Sequence, residues 1–266
     1  MMADLNFDNL VKDFSACPEV DAVVLAGSRA TGTSDAKSDY DVYIYLNQPL
    51  PVAKRRQILA AYCRTVELDN QYWEPEDDCI LNNGIAIDLV YRNLADLEAS
   101  LARTLLDCQP NNSYTTCLWF NVLHSQPLFD RHGTYQVMQT RFAIPYPELL
   151  RSRIIERSRN LLQGRLPSYF DQIVKAVDRQ DLISINHRVA EFLASYFDLL
   201  LAYNRLPHPG EKRLIPFVQR ECQHIPQDFA ADLGAIIQGV GFADQRLLAA
   251  VTQLIEHLDR MLEAEG

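Results

Sequence analysis

Apolar residues recur along the first half of the chain in two rhythms. Phe7, Leu10, Val11 and Phe14 are spaced as on one face of a helix, which predicts a helix over 6–16. Short apolar runs follow at 20–26 and 40–46, each of strand length. Between them, a turn and a short helix fit 28–34. Pro49 and Pro51 mark a loop and the start of a helix over 52–64, with Lys54, Arg55 and Arg56 on its solvent side. Strands are predicted near 65–80 and 84–92. The Asn82-Asn83-Gly84 turn makes 71–80 and 85–91 a hairpin. Leu94 to Leu106 reads as a helix, whereas 113–124, with Trp119, Phe120, Val122 and Leu123, fits helix or strand. Pro127 to Gly133 reads as a turn before another helix.

Past Ala143-Ile144-Pro145-Tyr146-Pro147 the strand rhythm stops. Two prolines two apart disfavour helix and stiffen this stretch as a linker. Helical spacing then dominates 148–163, 167–179, 182–204, 214–222, 227–238 and 243–263. The third of these carries a wide apolar stripe from Leu182 and Ile185 through Phe192 and Tyr196 to Tyr203. The expected fold class is therefore an α/β (α+β) domain with a small mixed sheet over 1–143, followed by an all-α helical bundle over 148–266. No internal repeat or low-complexity tract interrupts either half.

Two strands carry charge where their rhythm asks for apolar side chains. Ahead of Val42-Tyr43-Ile44-Tyr45-Leu46 stand Asp39 and Asp41, and alternate residues of a strand project from one face. Paired carboxylates repel unless a cation lies between them, and Mg²⁺ takes hard oxygen ligands. Asp88 interrupts Ile85 to Tyr91, where an unpaired charge is costly. Asp35, in Thr33-Ser34-Asp35-Ala36, is a rival for Asp39 but falls in a loop. Upstream, Gly27-Ser28 follows the apolar run Val23-Val24-Leu25. Taken alone this pair is an ordinary strand-to-helix turn, with Ser28 a possible N-cap.

In this order (apolar-Gly-Ser, a spacer, Asp-apolar-Asp-apolar, then apolar-Asp-apolar) residues 20–92 resemble the nucleotidyltransferase superfamily related to DNA polymerase beta. The layout is similar to that of aminoglycoside and lincosamide nucleotidyltransferases. The resemblance implies transfer of a nucleoside monophosphate, AMP from ATP in the preferred reading, to a hydroxyl. Pyrophosphate is released and two metal ions, Mg²⁺ or Mn²⁺, assist. Asp39, Asp41 and Asp88 would be the metal ligands, and Asp88 could also take the acceptor's proton. Gly27 lets backbone approach the phosphates, Ser28 donates to them, and Arg29 assists or else has only a surface role. The family places its catalytic cleft between the two domains. In the second domain, Glu191 is an acceptor-side base or ligand, or else a solvated partner of Arg188. Lys212, in Pro209-Gly210-Glu211-Lys212-Arg213, could reach a nucleotide phosphate or sit in an ordinary loop. His187 and His208 read as structural or solvated.

Composition narrows the acceptor. A formal net charge of −10 disfavours long nucleic acid, whose binding is driven by cationic side chains. The expected partners are an NTP and a small-molecule acceptor, in a monomer or homodimer. A protein acceptor, or a non-catalytic nucleotide-binding regulator, stands as the alternative. The latter does not need three metal carboxylates. The six cysteines form no Cys-x-x-Cys pair and the histidines no His-x-x-x-His pair, so zinc is not expected. Scattered cysteines, an N-terminus without leader features and no apolar stretch near 18 residues point to a cytoplasmic protein with no membrane partner.

Overall fold

The computed structural model describes residues 4–32 and 38–264. Its chain divides into two compact units, 1–102 with 121–144 and 103–120 with 145–266.

In the first unit six strands form one mixed sheet: β1 (Val20–Ala26), β2 (Tyr40–Leu46), β3 (Cys63–Asn70), β4 (Glu76–Leu81), β5 (Ala86–Arg92) and β6 (Gln126–Asp130). The spatial order is β3-β4-β5-β2-β1-β6. Only β2 and β5 run parallel, joined by a long crossover; the other neighbours are antiparallel. Strand alternation sorts the side chains. Val42 and Ile44 of β2, Val23 and Leu25 of β1, and Ile87 and Leu89 of β5 are buried on one face. Helix α1 (Leu5–Ser15) covers that face with Phe7, Leu10 and Phe14, and α3 (Val52–Tyr62) with Leu59. Asp4 caps α1, its carboxylate accepting from the amides of Asn6 and Phe7. On the opposite face of the sheet stand the alternate residues Asp41, Tyr43, Asp88 and Val90.

Three expectations in this unit need correction. Arg55 does not face solvent. It is 5% exposed and bonds Asp77 Oδ1 at 2.6 Å through Nη1 and Asp69 Oδ1 at 2.8 Å through Nη2. Asp77 lies on the helix-covered face of β4, fully buried, and also accepts from the Tyr91 hydroxyl at 2.6 Å. A carboxylate there must be paired, and removing one partner of such a pair costs about 3–5 kcal/mol. Second, residues 127–130 belong to β6 rather than to a turn. Pro127 is tolerated because β6 is an edge strand and its register with β1 shifts beside it. Third, the 65–80 stretch is itself a hairpin, β3 and β4, turning at 71–75. The helix after β1, α2, is shorter than expected, Gly27–Ala30. The ambiguous 113–124 segment yields α5 (Cys117–His124). Helices α4 (Leu94–Leu105) and α6 (Thr134–Arg141) complete the elements before residue 144.

The second unit is helical: α7 (Glu148–Gln163), α8 (Tyr169–Asp178), α9 (Leu182–Tyr203), α10 (Leu214–Glu221), α11 (Phe229–Phe242) and α12 (Gln245–Glu263). Its core gathers Ile173, Val189, Phe192, Tyr196, Leu200, Leu233, Leu247 and Leu254. A capping box on Ser168 and Asp171 starts α8, and Asp181 caps α9. The units part at the Ile144–Pro145 step, within the stretch read as a linker. Residues 103–120, read as part of the first domain, group with the second. Asp198, buried in α9, provides a reason. Its carboxylate accepts from the Thr115 amide at 3.0 Å and the Thr115 hydroxyl at 2.6 Å, and burial still pushes it up to about 6. Ser195 Oγ donates to the Asn112 carbonyl beside it.

Candidate active site

Sheet register brings the three carboxylates together. Asp41 of β2 is the direct parallel partner of Asp88 of β5, and Ala26, at the end of β1, is the antiparallel partner of Asp41. Asp39 precedes β2 by one residue, on the face that alternation gives Asp41. One carboxylate oxygen from each of Asp39, Asp41 and Asp88 lies within 4.8 Å of the others, and all three side chains are half-buried. Like charges at such spacing favour protonation. Burial first, then the carboxylates of Asp41, Asp78 and Asp39, push Asp88 up to about 6 from an ordinary 3.8. The residues present therefore fit a divalent cation: three hard oxygen donors converge, and their mutual repulsion is what a cation would relieve. Asp35 lies outside the described residues.

Gly27 touches this cluster directly. Its φ is +62°, and a Cβ built on it would stand 1.7 Å from Asp41 Oδ2 and 2.7 Å from Asp41 Cγ. The glycine thus makes room for the Asp41 carboxylate. Ser28 is the second residue of α2, not its cap, since Ala26 occupies the cap position without a side-chain bond. The first amides of that helix have no intrahelical acceptor, as at any helix start.

Arg29 is tied to the backbone just ahead of β2. Its Nε donates to the carbonyls of Ser38 and Asp39 at 3.1 and 2.9 Å, and Nη2 donates to Ser38 at 2.5 Å. The guanidinium lies over the Tyr40 ring at 4.0 Å, and that ring stacks on Phe7, also at 4.0 Å. This clasp fixes the backbone that presents Asp39 to Asp41.

Asp78 escaped the sequence reading. It is the antiparallel partner of Asp88 from the β4 side, so Asp41, Asp88 and Asp78 form a row across three strands. Asn70 Nδ2 donates to Asp78 at 2.8 Å. Counting outward from the Asn82-Asn83-Gly84 turn pairs residues 78 and 88, so the signal was present in a hairpin already recognised.

Glu191 and Lys212 lie in the second unit. Glu191 is half-buried on α9, and its Oε2 accepts from the Tyr169 hydroxyl at 3.4 Å; Arg188 forms no ion pair with it. Lys212 is exposed in the loop before α10. That loop is anchored by His208, which is fully buried and therefore structural. The His208 amide donates to Thr116 Oγ1 at 2.9 Å, and Nδ1 accepts from the Gly210 amide at 3.0 Å, which leaves the ring proton on Nε2. Burial lowers this imidazole to about 4.

The Asp88 shift carries a stability consequence with a definite sign. A carboxyl raised in the fold contributes stability that is complete below its unfolded value, near 3.8, and is lost as pH rises through about 6. Asp198 acts in the same direction, so the variant must be compared with the wild type. In EDTA, Asp88→Asn is expected to melt increasingly above the wild type as pH rises from 4 to 7. Thermal scans at each pH read the difference. A gap independent of pH would contradict the crowding of Asp88 by its neighbours.

Residues 8–109 match the family model of the nucleotidyltransferase domain. Solved structures similar to the chain include a nucleotidyltransferase-like protein from Exiguobacterium sibiricum 255-15, at 12% identity over 95% of this chain and 74% of that one, TM-score 0.45. Another is an aminoglycoside 6-adenyltransferase from Bacillus subtilis, at 10% identity over 97% of this chain and 90% of that one, TM-score 0.30. No curated protein sequence matches the chain. Among the described residues, no helix is long and apolar enough to cross a membrane.

Proposed function

We propose, from the match of residues 8–109 to the family model of the nucleotidyltransferase domain, that this chain transfers a nucleoside monophosphate from an NTP, AMP from ATP in the preferred case, to a hydroxyl of a small molecule. The observation that carries the reading is the convergence of Asp39, Asp41 and Asp88 beside Gly27. The acceptor oxygen bonds to the α-phosphorus, the bond from that phosphorus to the bridging oxygen of the β-phosphate breaks, and pyrophosphate leaves. Asp39, Asp41 and Asp88 would hold Mg²⁺ or Mn²⁺, which when bound neutralises charge on the phosphates. The proton of the acceptor hydroxyl goes to Glu191 or to Asp88, whose carboxylate, raised toward neutrality by its surroundings, suits that role. Ser28 and the first amides of α2 donate to the outer phosphates. Arg29 keeps the backbone of residues 38–40 in place.

For the second unit we propose acceptor recognition through Glu191 and a phosphate contact from Lys212. A small-molecule acceptor agrees with the acidic balance of the chain, which disfavours long nucleic acid. The test is a panel of NTPs and hydroxyl acceptors with Mg²⁺, read by pyrophosphate release and product mass. No transfer from any NTP to any acceptor, with NTP bound, would favour a regulatory protein. Within that assay, Glu191→Gln is expected to lower turnover by roughly a hundredfold, the usual contribution of a proton acceptor, with KM for the NTP unchanged. A silent Glu191→Gln would leave Asp88 as the sole base.

A further inference from the structure

An open cavity of about 480 Å³ lies within the second unit along α7, lined among others by Arg153, Arg157 and Arg165, with Leu161 and Leu166 as apolar wall. It shares no residue with the acid cluster. Its volume falls in the range of small-molecule sites. The arginines on this helix and just past its end divide by what they meet. Arg151 and Arg159, outside the cavity, pair with the carboxylates of Glu148 and Asp259. Among the described residues, none of the three in the cavity lining has a carboxylate partner. Arg153 donates to the carbonyls of Asp107 and Cys108 at 3.0 and 2.9 Å, and Arg157 donates to Asn112 Oδ1 at 2.5 and 3.1 Å. These neutral oxygens fix two guanidiniums in place without cancelling their charge. The Arg165 amide donates to the Asn160 carbonyl at 3.2 Å, and its guanidinium makes no hydrogen bond or ion pair among the described residues. The one acid in the lining, Glu156, likewise forms no ion pair among the described residues, and the lining carries a surplus of two positive charges. In a chain of net charge −10, such a surplus runs against the average.

We propose that this cavity binds a small phosphate-bearing anion. A guanidinium offers a planar fork that matches phosphate oxygens two at a time, and two of these forks are already oriented by their protein contacts. Leu161 and Leu166 give a non-phosphate portion of the ligand an apolar surface. The proposal is independent of the reading of the acid cluster, and the test keeps the two apart.

Calorimetry with inorganic pyrophosphate, on the full chain in EDTA at low ionic strength, is the direct measurement. Saturable binding is expected, weakening as salt is added. It should persist in Asp41→Asn, which disables the proposed metal site. Arg165→Gln is the clean variant because Arg165 holds no other element, and it should weaken binding by about tenfold, as loss of a charge-assisted hydrogen bond does. Arg157→Gln should weaken it similarly, with circular dichroism confirming the fold. Citrate, a carboxylate polyanion, should bind at least about tenfold more weakly than pyrophosphate, because only phosphate matches the fork. Absence of saturable binding, binding lost in Asp41→Asn but kept in Arg165→Gln, or citrate binding as tight as pyrophosphate would each overturn the assignment.

Discussion

Asp41→Asn is expected to lower nucleotide transfer by at least about a hundredfold, since even the outer partners of metal ligands are worth 10–100-fold. The same change should leave the metal-free protein as stable as the wild type, or more so. Asp41 has a carboxylate within 4.8 Å on each of two neighbours. Two unit charges about 5 Å apart repel by about 3 kcal/mol at an effective dielectric of 20, and the neutral amide relieves that repulsion. Two measurements carry the test. Turnover with Mg²⁺ and NTP should collapse. The thermal shift produced by Mg²⁺ alone, present in the wild type by linkage, should shrink in the variant. Full activity in Asp41→Asn would place the chemistry elsewhere in the chain. A lost thermal shift with intact turnover would separate metal binding from catalysis.

The local part of this site was legible in sequence. Asp39 and Asp41 follow from strand alternation, and Asp88 from the cost of a charge inside an apolar run. What sequence does not carry is which strands become neighbours. The parallel pairing that sets Asp41 against Asp88 depends on a crossover of some forty residues through α3, β3 and β4. Asp78 had a readable signal in its hairpin register but no reason to be singled out until Asp88 was known to face it. Arg55 was misread because α3 shows no clean apolar stripe; its burial answers Asp77, a residue on another element. The same logic moved residues 103–120 to the helical unit. Asp198 sits in an apolar helix and draws its donors from Thr115, eighty-three positions away. In each case a polar residue in an apolar setting predicted that a partner exists, while only the fold says which. Helices α7 to α9 needed no such information, since their apolar spacing lies within single segments.

Gly27→Ala is the second change expected to abolish transfer, and for a reason the motif alone does not give. A glycine at this place could serve only to let phosphates approach the backbone. Here its open side faces a carboxylate of the protein: a methyl group would stand 1.7 Å from Asp41 Oδ2, on a backbone with φ of +62°. Two costs follow. The left-handed conformation penalises alanine by about 1–2 kcal/mol, and Asp41 must leave its position. Unlike Asp41→Asn, this variant should therefore lose stability as well as activity, and its Mg²⁺-induced thermal shift should vanish. A glycine needed only for phosphate approach would give another pattern, with Mg²⁺ binding intact and NTP binding impaired. A double-mutant cycle isolates the contact. In an Asp41→Ala background the added methyl no longer meets a carboxylate and keeps only the Cβ of residue 41 at 3.2 Å, so the stability loss from Gly27→Ala should fall most of the way to the backbone cost. An equal loss in both backgrounds would show that the approach of Asp41 is not what excludes a side chain at position 27.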